Sequence, residues 1–287
     1  MTRSIGPLLT AETLAAMQAA LAAGQREWQG SLDLGRSGAA VPIDSGGFVF
    51  AGLRHPWPAT LKERTVYHRV GDGFTAVQRF GGALIKLVPT SWGAPTFEID
   101  GIKMLPTAQV SPWEDAGRKV ALVQPSGKRI LDTCGGLGYF AAWCLAGGAA
   151  AVHSVEKNVD VLWLRGLNPW SPDPDEASAG GRLLLEHADI VERIATLPDA
   201  SFSAALHDPP RFGIAGELYS LAFYRELARV LKPGGRLFHY VGSPNAKTSG
   251  RDVPGEVIRR LKQAGFDADR AMDGVLATRR GGPGLRR

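Results

Sequence analysis

The chain has 287 residues, of which 44% are hydrophobic and 21% charged, a composition typical of globular proteins. Its two cysteines, Cys134 and Cys144, are too few for a disulfide framework or a multi-cysteine zinc site. No apolar run reaches the ~18 residues that a membrane span needs, and polar residues interrupt the alanine-rich start. We therefore expect a cytoplasmic protein with neither a signal peptide nor a bound metal.

The net charge of +5 is concentrated near the carboxyl terminus. The last 13 residues contain Arg279, Arg280, Arg286 and Arg287 and no acid, which leaves +1 on the other 274 residues. A nearly neutral body lacks the strong overall bias that phosphate binding often leaves. We interpret residues 279–287 as a solvated basic tail, with contact to a polyanion as the alternative.

Residues 1–110 are predicted to form an accessory or lid segment. Leucine and alanine at helical spacing predict a helix over residues 8–28, which Thr10 can cap. Glycines and short apolar runs predict short strands over residues 30–110, and the Asp-Gly pair in EIDGIK predicts a hairpin. Four tryptophans in the first third of the chain favour core packing, with the lining of a substrate pocket as the alternative. They are Trp28, Trp57, Trp92 and Trp113.

Residues 111–278 have the pattern of an α/β catalytic domain. Apolar runs alternate with helical patterns, and the predicted strands are RILDTC, AVHSVE, RLLLEHAD, FSAALHD and GRLFHYVG. Such alternation predicts a parallel sheet with helices on both faces. The end, FDADRAMDGVLATRR, has no helical pattern and predicts two strands folded back on each other. The expected fold is a seven-stranded, mostly parallel sheet with a C-terminal antiparallel hairpin.

A glycine loop follows the first strand of this domain. Asp132 ends the strand, and Cys134, Gly135, Gly136 and Gly138 form the turn into the next helix. Glycines there let backbone N–H groups approach a ligand closely. The spacing fits neither the Gly-x-Gly-x-x-Gly dinucleotide motif nor a P-loop. The loop by itself predicts a ligand site without identifying the ligand.

Two further acids follow at the ends of the next two strands. Glu156 ends the second strand, 18 residues after Gly138, and Asp189 comes just after the third. A carboxylate at the second position can accept hydrogen bonds from both hydroxyls of a ribose. Each acid alone is ordinary for an exposed loop, but three acids in this order at three strand ends predict a nucleoside-type cofactor.

The layout of Asp132, Gly136 and Gly138 resembles the first motif of class I S-adenosylmethionine (AdoMet)-dependent methyltransferases. The resemblance implies a Rossmann-like fold and AdoMet as cofactor, with the loop around its methionyl part and Glu156 on its ribose. It also places Asp189 on the adenine amine, with Lys157 (or Asn158) and Ile190 beside the ring. The sequence departs from the family at Cys134, where a glycine is usual.

A rigid corner ends the fourth strand. The sequence there is Asp208-Pro209-Pro210-Arg211-Phe212. The two prolines donate no hydrogen bonds and fix their φ angles, so the carbonyls of Asp208 and Pro209 leave the strand ladder. Together with the Asp208 carboxylate they can hold a substrate amine with its lone pair toward the methyl group, which is catalysis by orientation. The alternative interpretation is a turn with no catalytic part.

This corner resembles the Asp/Asn-Pro-Pro-aromatic motif of amino methyltransferases, in which the fourth residue stacks on a flat target. Here the fourth residue is Arg211, so Phe212 or the later Tyr219 is predicted to stack on or line the acceptor site. Methyltransferases that act on cytosine carbon share the Asp-Pro-Pro-x-Phe form but usually need a cysteine nucleophile near it. Neither cysteine lies there, which argues against a cysteine adduct.

Residues 100–265 also resemble a family of predicted archaeal-type methyltransferases with the Asp-Pro-Pro-Arg-Phe motif. The resemblances imply methyl transfer to a nitrogen or other heteroatom. The nearly neutral body, the four early tryptophans and the lid-like first segment favour a small-molecule acceptor over RNA, and homo-oligomerisation is left open. One alternative on this scaffold is aminopropyl or aminocarboxypropyl transfer, or cyclisation of AdoMet. Spermidine synthase-like enzymes usually show Gly-Gly-Gly-Asp-Gly where this chain has Cys-Gly-Gly-Leu-Gly. A non-catalytic RNA- or protein-binding module is the third hypothesis.

Overall fold

A computed structural model describes residues 6–175, 180–242 and 252–281, so residues 282–287 of the predicted tail lie outside the described residues. The chain divides into two compact units. The first comprises Met1–Asp115 and Asp160–Ser171, and the second comprises Ala116–Val159 and Pro172–Arg287. The first unit thus takes a short stretch from the middle of the chain. Within the described ranges, no helix is long and apolar enough to cross a membrane.

Short strands and one helix make up the first 110 residues. They are β1 (Leu8–Leu9), α1 (Ala11–Ala22), β2 (Glu27–Gly30), β3 (Ala39–Asp44), β4 (Gly47–Phe50), β5 (Leu53–Pro56), β6 (Tyr67–Val70), β7 (Gly73–Ala76), β8 (Gln78–Phe80), β9 (Leu84–Thr90), β10 (Gly93–Ile99) and β11 (Ile102–Lys103). They form three antiparallel sheets, in the orders β2-β3-β4-β5, β1-β6-β7 and β11-β10-β9-β8.

The helix α1 is shorter than the sequence pattern predicts. Thr10 Oγ1 accepts a hydrogen bond from the Thr13 backbone N–H (3.2 Å), which confirms the predicted cap. The predicted range of 8–28 is wrong at both ends. The flanking residues belong to β1 and β2, which pair with β6 and β3, so sheet pairing overrides the local helical pattern.

The predicted hairpin in EIDGIK is confirmed. β10 and β11 are antiparallel, with Ile99 opposite Ile102. Asp100 (φ 48°) and Gly101 (φ 77°) between them both adopt left-handed backbone angles. An Asp-Gly pair tolerates these angles better than other residues do, which is why this pair marks tight hairpins.

A small apolar core holds the first unit together. Its buried members are Leu9, Met17, Leu32, Val41, Ile43 and Phe48. Trp28 and Trp57 pack partly buried against this core, as predicted for the early tryptophans, and Trp113 packs on Trp170 with ring centroids 5.3 Å apart. Trp92 differs, because it is 45% exposed.

Longer elements follow from residue 112. They are α2 (Pro112–Val123), β12 (Arg129–Asp132), α3 (Tyr139–Ala146), β13 (Ala151–Glu156), α4 (Val159–Leu167), β14 (Leu183–His187), α5 (Ile190–Arg193), β15 (Phe202–His207), α6 (Leu221–Val230), β16 (Leu231–Tyr240), α7 (Val253–Gln263), β17 (Phe266–Ala271) and β18 (Gly274–Arg279). Short 3-10 turns cover Ile194–Thr196 and Gly216–Tyr219.

Most of α4 belongs to the first unit. The Arg79 guanidinium lies over the Trp163 ring, 4.0 Å from its centroid, and it is 3.8 Å from the Asp160 carboxylate. Just beyond α4, Trp170 Nε1 donates a hydrogen bond to the Leu34 carbonyl (3.0 Å). The sequence pattern instead predicts these residues as part of the α/β catalytic domain, residues 111–278.

The second unit is built on one seven-stranded sheet in the order β14-β13-β12-β15-β16-β18-β17. The first five strands are parallel, and β18 pairs antiparallel with both β16 and β17. The predicted mostly parallel sheet and its C-terminal antiparallel hairpin are confirmed. Because β12, β13 and β15 are parallel and adjacent, the residues that end them meet at one edge of the sheet, called here the carboxyl edge.

Candidate functional site

The glycine loop leaves β12 at the carboxyl edge. Gly136 (φ 49°) and Gly138 (φ 80°) have left-handed backbone angles that side chains disfavour, which accounts for glycine at both positions. Gly135 N–H donates to the Val155 carbonyl (2.8 Å), and Gly138 opens α3. The loop is therefore fastened to the end of β13, with Gly136 only partly buried.

Asp132 is placed at the root of this loop. Its side chain is 1% exposed, and Ser154 on β13 donates a hydrogen bond to its Oδ2 atom (2.8 Å). Residues 132 and 154 are opposite each other in the parallel ladder. The carboxyl group is thus held in one orientation beneath the loop.

Glu156 links the loop to the second strand end. Its Oε2 atom accepts from Gly136 N–H and its Oε1 atom from Asn158 N–H, each at 2.8 Å. The side chain is half-buried. A carboxylate offers about four acceptor sites, more than these two backbone bonds use. Glu156 is therefore fixed in place and still suited to receiving hydroxyl donors.

Asp189 and its neighbours form the third part of the predicted cofactor site. Asp189 caps α5 through Val191 N–H (2.9 Å), and its Oδ2 atom is 2.6 Å from Lys157 Nζ. Partial burial acts to raise the pKa of Asp189, but the hydrogen bonds from Lys157 and Val191 and the charge of Lys157 together lower the pKa below its usual value. Ile190 is buried in the core at 4% exposure. The adenine contacts of these residues stay predictions.

The Asp-Pro-Pro corner continues β15 at the same edge. Asp208 is half-buried, Pro209 is buried and Pro210 is exposed. The Tyr219 hydroxyl donates to the Pro210 carbonyl (3.1 Å), and the Tyr219 side chain is 1% exposed. Phe212 is 38% exposed and meets Tyr219 edge to face, with centroids 5.4 Å apart. Tyr219 thus lies under the corner, and Phe212 offers an open ring face beside it.

The two cysteines do not act as reactive thiols. Burial, and secondarily the nearby Glu156 carboxylate, raises the pKa of Cys134 well above its usual range, and burial does the same for Cys144. Since the thiolate is the nucleophilic form, both side chains stay unreactive at neutral pH. In the described parts of the chain, His, Cys, Asp and Glu do not cluster in threes that could hold a metal ion.

Two histidines beside the corner are fully buried. His207 and His239 are each 0% exposed, with ring centroids 4.4 Å apart. Burial lowers the pKa of His207 to about 4 and the pKa of His239 well below its usual range. This placement makes His207 a core residue.

We expect these two histidines to make the fold sensitive to acid. Between pH 6.5 and about 4 the unfolded chain binds protons that the folded chain excludes, so the unfolding free energy falls as the pH falls. Each histidine contributes a slope of about 1.4 kcal/mol per pH unit in this window and nothing above it. Urea unfolding at pH 7.5, 6.5, 5.5 and 5.0 measures the slope, and His239→Gln should flatten it. Equal unfolding free energies at pH 7.5 and 5.0 would contradict the assignment.

Comparisons with known proteins place the fold. No profile of a known protein family matches the chain. The uncharacterized protein MJ1233 of Methanocaldococcus jannaschii is 47% identical over 184 residues, which are 63% of this chain and 61% of that protein. The chain therefore spans less than two thirds of this relative's length.

Solved structures show the same architecture. A spermidine synthase in complex with the transition state analogue AdoDATO aligns with a TM-score of 0.52 and 14% identity, covering 70% of this chain and 72% of that one. The spermidine synthase from Thermotoga maritima aligns with a TM-score of 0.50 and 13% identity, over 88% and 78% of the two chains. The second unit therefore has the Rossmann-like α/β fold that AdoMet-dependent methyltransferases and spermidine synthases share.

Proposed function

We propose that the protein is an AdoMet-dependent methyltransferase that acts on a nitrogen or other heteroatom. One observation carries the proposal: the glycine loop, the Glu156 carboxylate bonded to it and the Asp208 corner lie together at the carboxyl edge of the second unit's sheet. In open α/β sheets this edge is where ligands bind.

The donors and acceptors at this edge fit AdoMet. The loop at Gly136 and Gly138 has no side chains to obstruct a methionyl group, and its backbone angles are set by glycine. Glu156 is fixed by two N–H bonds at the end of β13, where a carboxylate can receive a ribose diol. Asp132 adds a buried carboxyl group under the loop. When bound, AdoMet would supply a methyl group activated by its sulfonium.

The chain's own part in the reaction is to hold the acceptor. The Asp208 carboxylate accepts an N–H of the acceptor and so turns the nitrogen lone pair toward the methyl group. The Pro209–Pro210 corner fixes that carboxylate and adds backbone carbonyls as further acceptors. Phe212, with one face open, can stack on a flat acceptor. Asp208 also lies where it can receive the proton that the acceptor nitrogen loses.

The alternative is transfer of an aminopropyl or aminocarboxypropyl group, or cyclisation of AdoMet. The alignments with two spermidine synthases support this alternative reaction, since they extend over 70% and 88% of this chain. The loop sequence Cys-Gly-Gly-Leu-Gly favours methyl transfer. Both reactions would use the same strand ends and the same Asp208.

Calorimetry and product analysis test the proposal. AdoMet and S-adenosylhomocysteine should each bind the full chain with one site. AdoMet incubated with the protein and an extract of its source cells should then yield S-adenosylhomocysteine by mass spectrometry. Methylthioadenosine as the by-product, formed from AdoMet or from decarboxylated AdoMet as the aminopropyl donor, would establish the alternative. Absence of binding of both donors would overturn both proposals.

We propose a small, enclosed acceptor rather than RNA, and the salt dependence of RNA binding tests this choice. The full chain should bind total RNA with a log–log salt slope near zero, and deleting residues 281–287 should not change it. Arg279 and Arg280 remain in that variant, bonded to the carbonyls of Leu231 and Lys262. An RNA enzyme that uses this tail would instead lose about 1.4 to 1.8 units of slope with Arg286 and Arg287.

A further inference from the structure

A buried polar cluster under the carboxyl edge takes no part in the reaction described so far. It joins Thr133, His207, His239 and Tyr224, whose side chains are 2% exposed or less. Thr133 Oγ1 is 2.7 Å from His207 Nδ1, and Tyr224 Oη is 2.8 Å from His239 Nε2. Polar groups in such a place are costly to bury, so each bond among them has to be made.

The protons of this cluster can be assigned from its partners. His207 Nε2 is 3.0 Å from the Leu218 carbonyl, which can only accept, so Nε2 carries the proton. Burial keeps the ring neutral, and Nδ1 is then an acceptor. The Thr133 hydroxyl has one proton to donate, and its contact with Nδ1 (2.7 Å) is shorter than its contact with the Leu206 carbonyl (3.2 Å), so we assign the proton to the bond with His207. In the same way His239 donates from Nδ1 to the Tyr240 carbonyl (2.8 Å) and accepts from Tyr224.

The Thr133–His207 bond joins the two halves of the site. Thr133 lies between Asp132 and the glycine loop, and His207 directly precedes Asp208. The last ladder pair of β12 and β15 is Asp132 with Leu206, so this side-chain bond connects the two strands one step beyond the ladder. Thr133 N–H also donates to the Leu206 carbonyl (3.0 Å), so the side-chain bond adds to the last backbone bond between the two strands and reaches the residue that precedes Asp208.

The other ring nitrogen of His207, Nε2, connects this residue to the segment that supports the corner. It bonds to the carbonyl of Leu218, and the next residue, Tyr219, donates its hydroxyl to the Pro210 carbonyl. Arg260 on α7 holds the Tyr219 carbonyl at 2.9 Å. The corner is thus connected through His207 to β12 on one side and through Tyr219 to α7 on the other.

We propose that Thr133 and His207 are positioning residues that set the distance between the glycine loop and the Asp208 corner. This inference rests on the proposed function, since both halves of the site must hold reacting groups for their separation to matter. In-line transfer depends on close alignment, and a displacement of about 1 Å can cost roughly 100-fold in rate. The bond acts on turnover and leaves the cofactor contacts themselves intact.

Two variants of Thr133 separate the hydroxyl from the shape of the side chain. Thr133→Val keeps the shape and removes the hydroxyl, whereas Thr133→Ser keeps the hydroxyl and removes the methyl. We expect Thr133→Val to release S-adenosylhomocysteine about 10- to 100-fold more slowly than wild type, with the AdoMet Kd and KM within about 3-fold. Thr133→Ser should stay within about 3-fold of wild type in all three quantities.

Three outcomes would overturn the inference. Equal turnover of Thr133→Val and wild type would show that the bond positions nothing. Equal losses in the Val and Ser variants would assign the effect to packing of the methyl group. A loss of AdoMet affinity as large as the loss of turnover would assign it to cofactor binding. Failure of the wild-type chain to bind AdoMet would instead overturn the proposed function.

Should Thr133→Val not fold, two variants of His207 make the same distinction. Asparagine retains an acceptor near the Nδ1 position, facing Thr133, and glutamine retains a donor near the Nε2 position, facing Leu218. The proposal requires His207→Asn to turn over faster than His207→Gln at equal folded fraction. The reverse order would place the positioning role in the Leu218 bond and overturn the assignment to Thr133.

Discussion

Replacing Asp208 by alanine should lower turnover about 100-fold or more, while the AdoMet Kd stays within a few-fold of wild type. The carboxylate lies at the corner after β15, one strand away from the loop assigned to the cofactor. Its removal leaves the acceptor nitrogen unaligned and without a proton acceptor. Because the glycine loop and Glu156 are untouched, the loss belongs to kcat rather than to AdoMet binding.

The matched control for this variant lies at the other end of the same strand. Asp199 precedes β15, is 78% exposed and pairs with Arg229. Asp199→Ala removes the same group and should leave turnover unchanged. Steady-state rates and calorimetry on both variants complete the comparison. Full activity of Asp208→Ala with the true acceptor would show that the Asp-Pro-Pro corner is a turn with no catalytic part.

Glu156→Ala should weaken AdoMet binding about 100-fold or more. Charge-assisted hydrogen bonds of this kind contribute roughly 1.5–3 kcal/mol each, and two ribose hydroxyls would lose their acceptor. The substitution also releases Gly136 N–H from its bond with the side chain, which loosens the loop. Asp132→Ala should weaken binding as well, through the orientation of the same loop.

The control for the cofactor variants is Glu192→Ala. Glu192 is an exposed carboxylate in the first turn of α5, beyond Asp189. Its removal changes the net charge by the same amount as Glu156→Ala and should leave the AdoMet Kd unchanged. Calorimetry at one ionic strength compares the three variants. Unchanged AdoMet affinity in both Glu156→Ala and Asp132→Ala would contradict the assignment of the cofactor site to this edge of the sheet.

The parallel sheet could be predicted from the sequence because its strands are apolar runs, most of them buried, that alternate with helical patterns. The first unit could not be predicted in detail. Leu8 and Leu9 fit the period of the following helix, yet they pair with Tyr67 and His68, almost sixty residues away. Non-local pairing of this kind leaves no periodic signal. For the same reason, the sequence pattern does not indicate that residues 160–171 belong to the first unit.

Within the candidate site, the residues at strand ends could be located from sequence, and their partners could not. Asp132, Glu156 and Asp208 are conspicuous because an acid at the end of an apolar run is unusual. The bond between Thr133 and His207 joins residues 74 positions apart, so it depends on β12 and β15 being neighbours. The sequence shows a polar residue beside each motif, Thr133 after Asp132 and His207 before Asp208. That these two side chains bond to each other can be inferred only once the strand order is known.

The interrupted first unit has a consequence for how the protein is made. Its residues 160–171 supply Trp163 against Arg79 and Trp170 against the Leu34 carbonyl. The ribosome synthesises the chain from its amino terminus, and domains generally fold as they emerge from it. The first unit cannot complete its packing until residue 171 has emerged, by which time β12 and β13 are already available. A fragment ending at residue 115 would therefore lack part of its own interior, and biosynthetic folding of the two units overlaps in time.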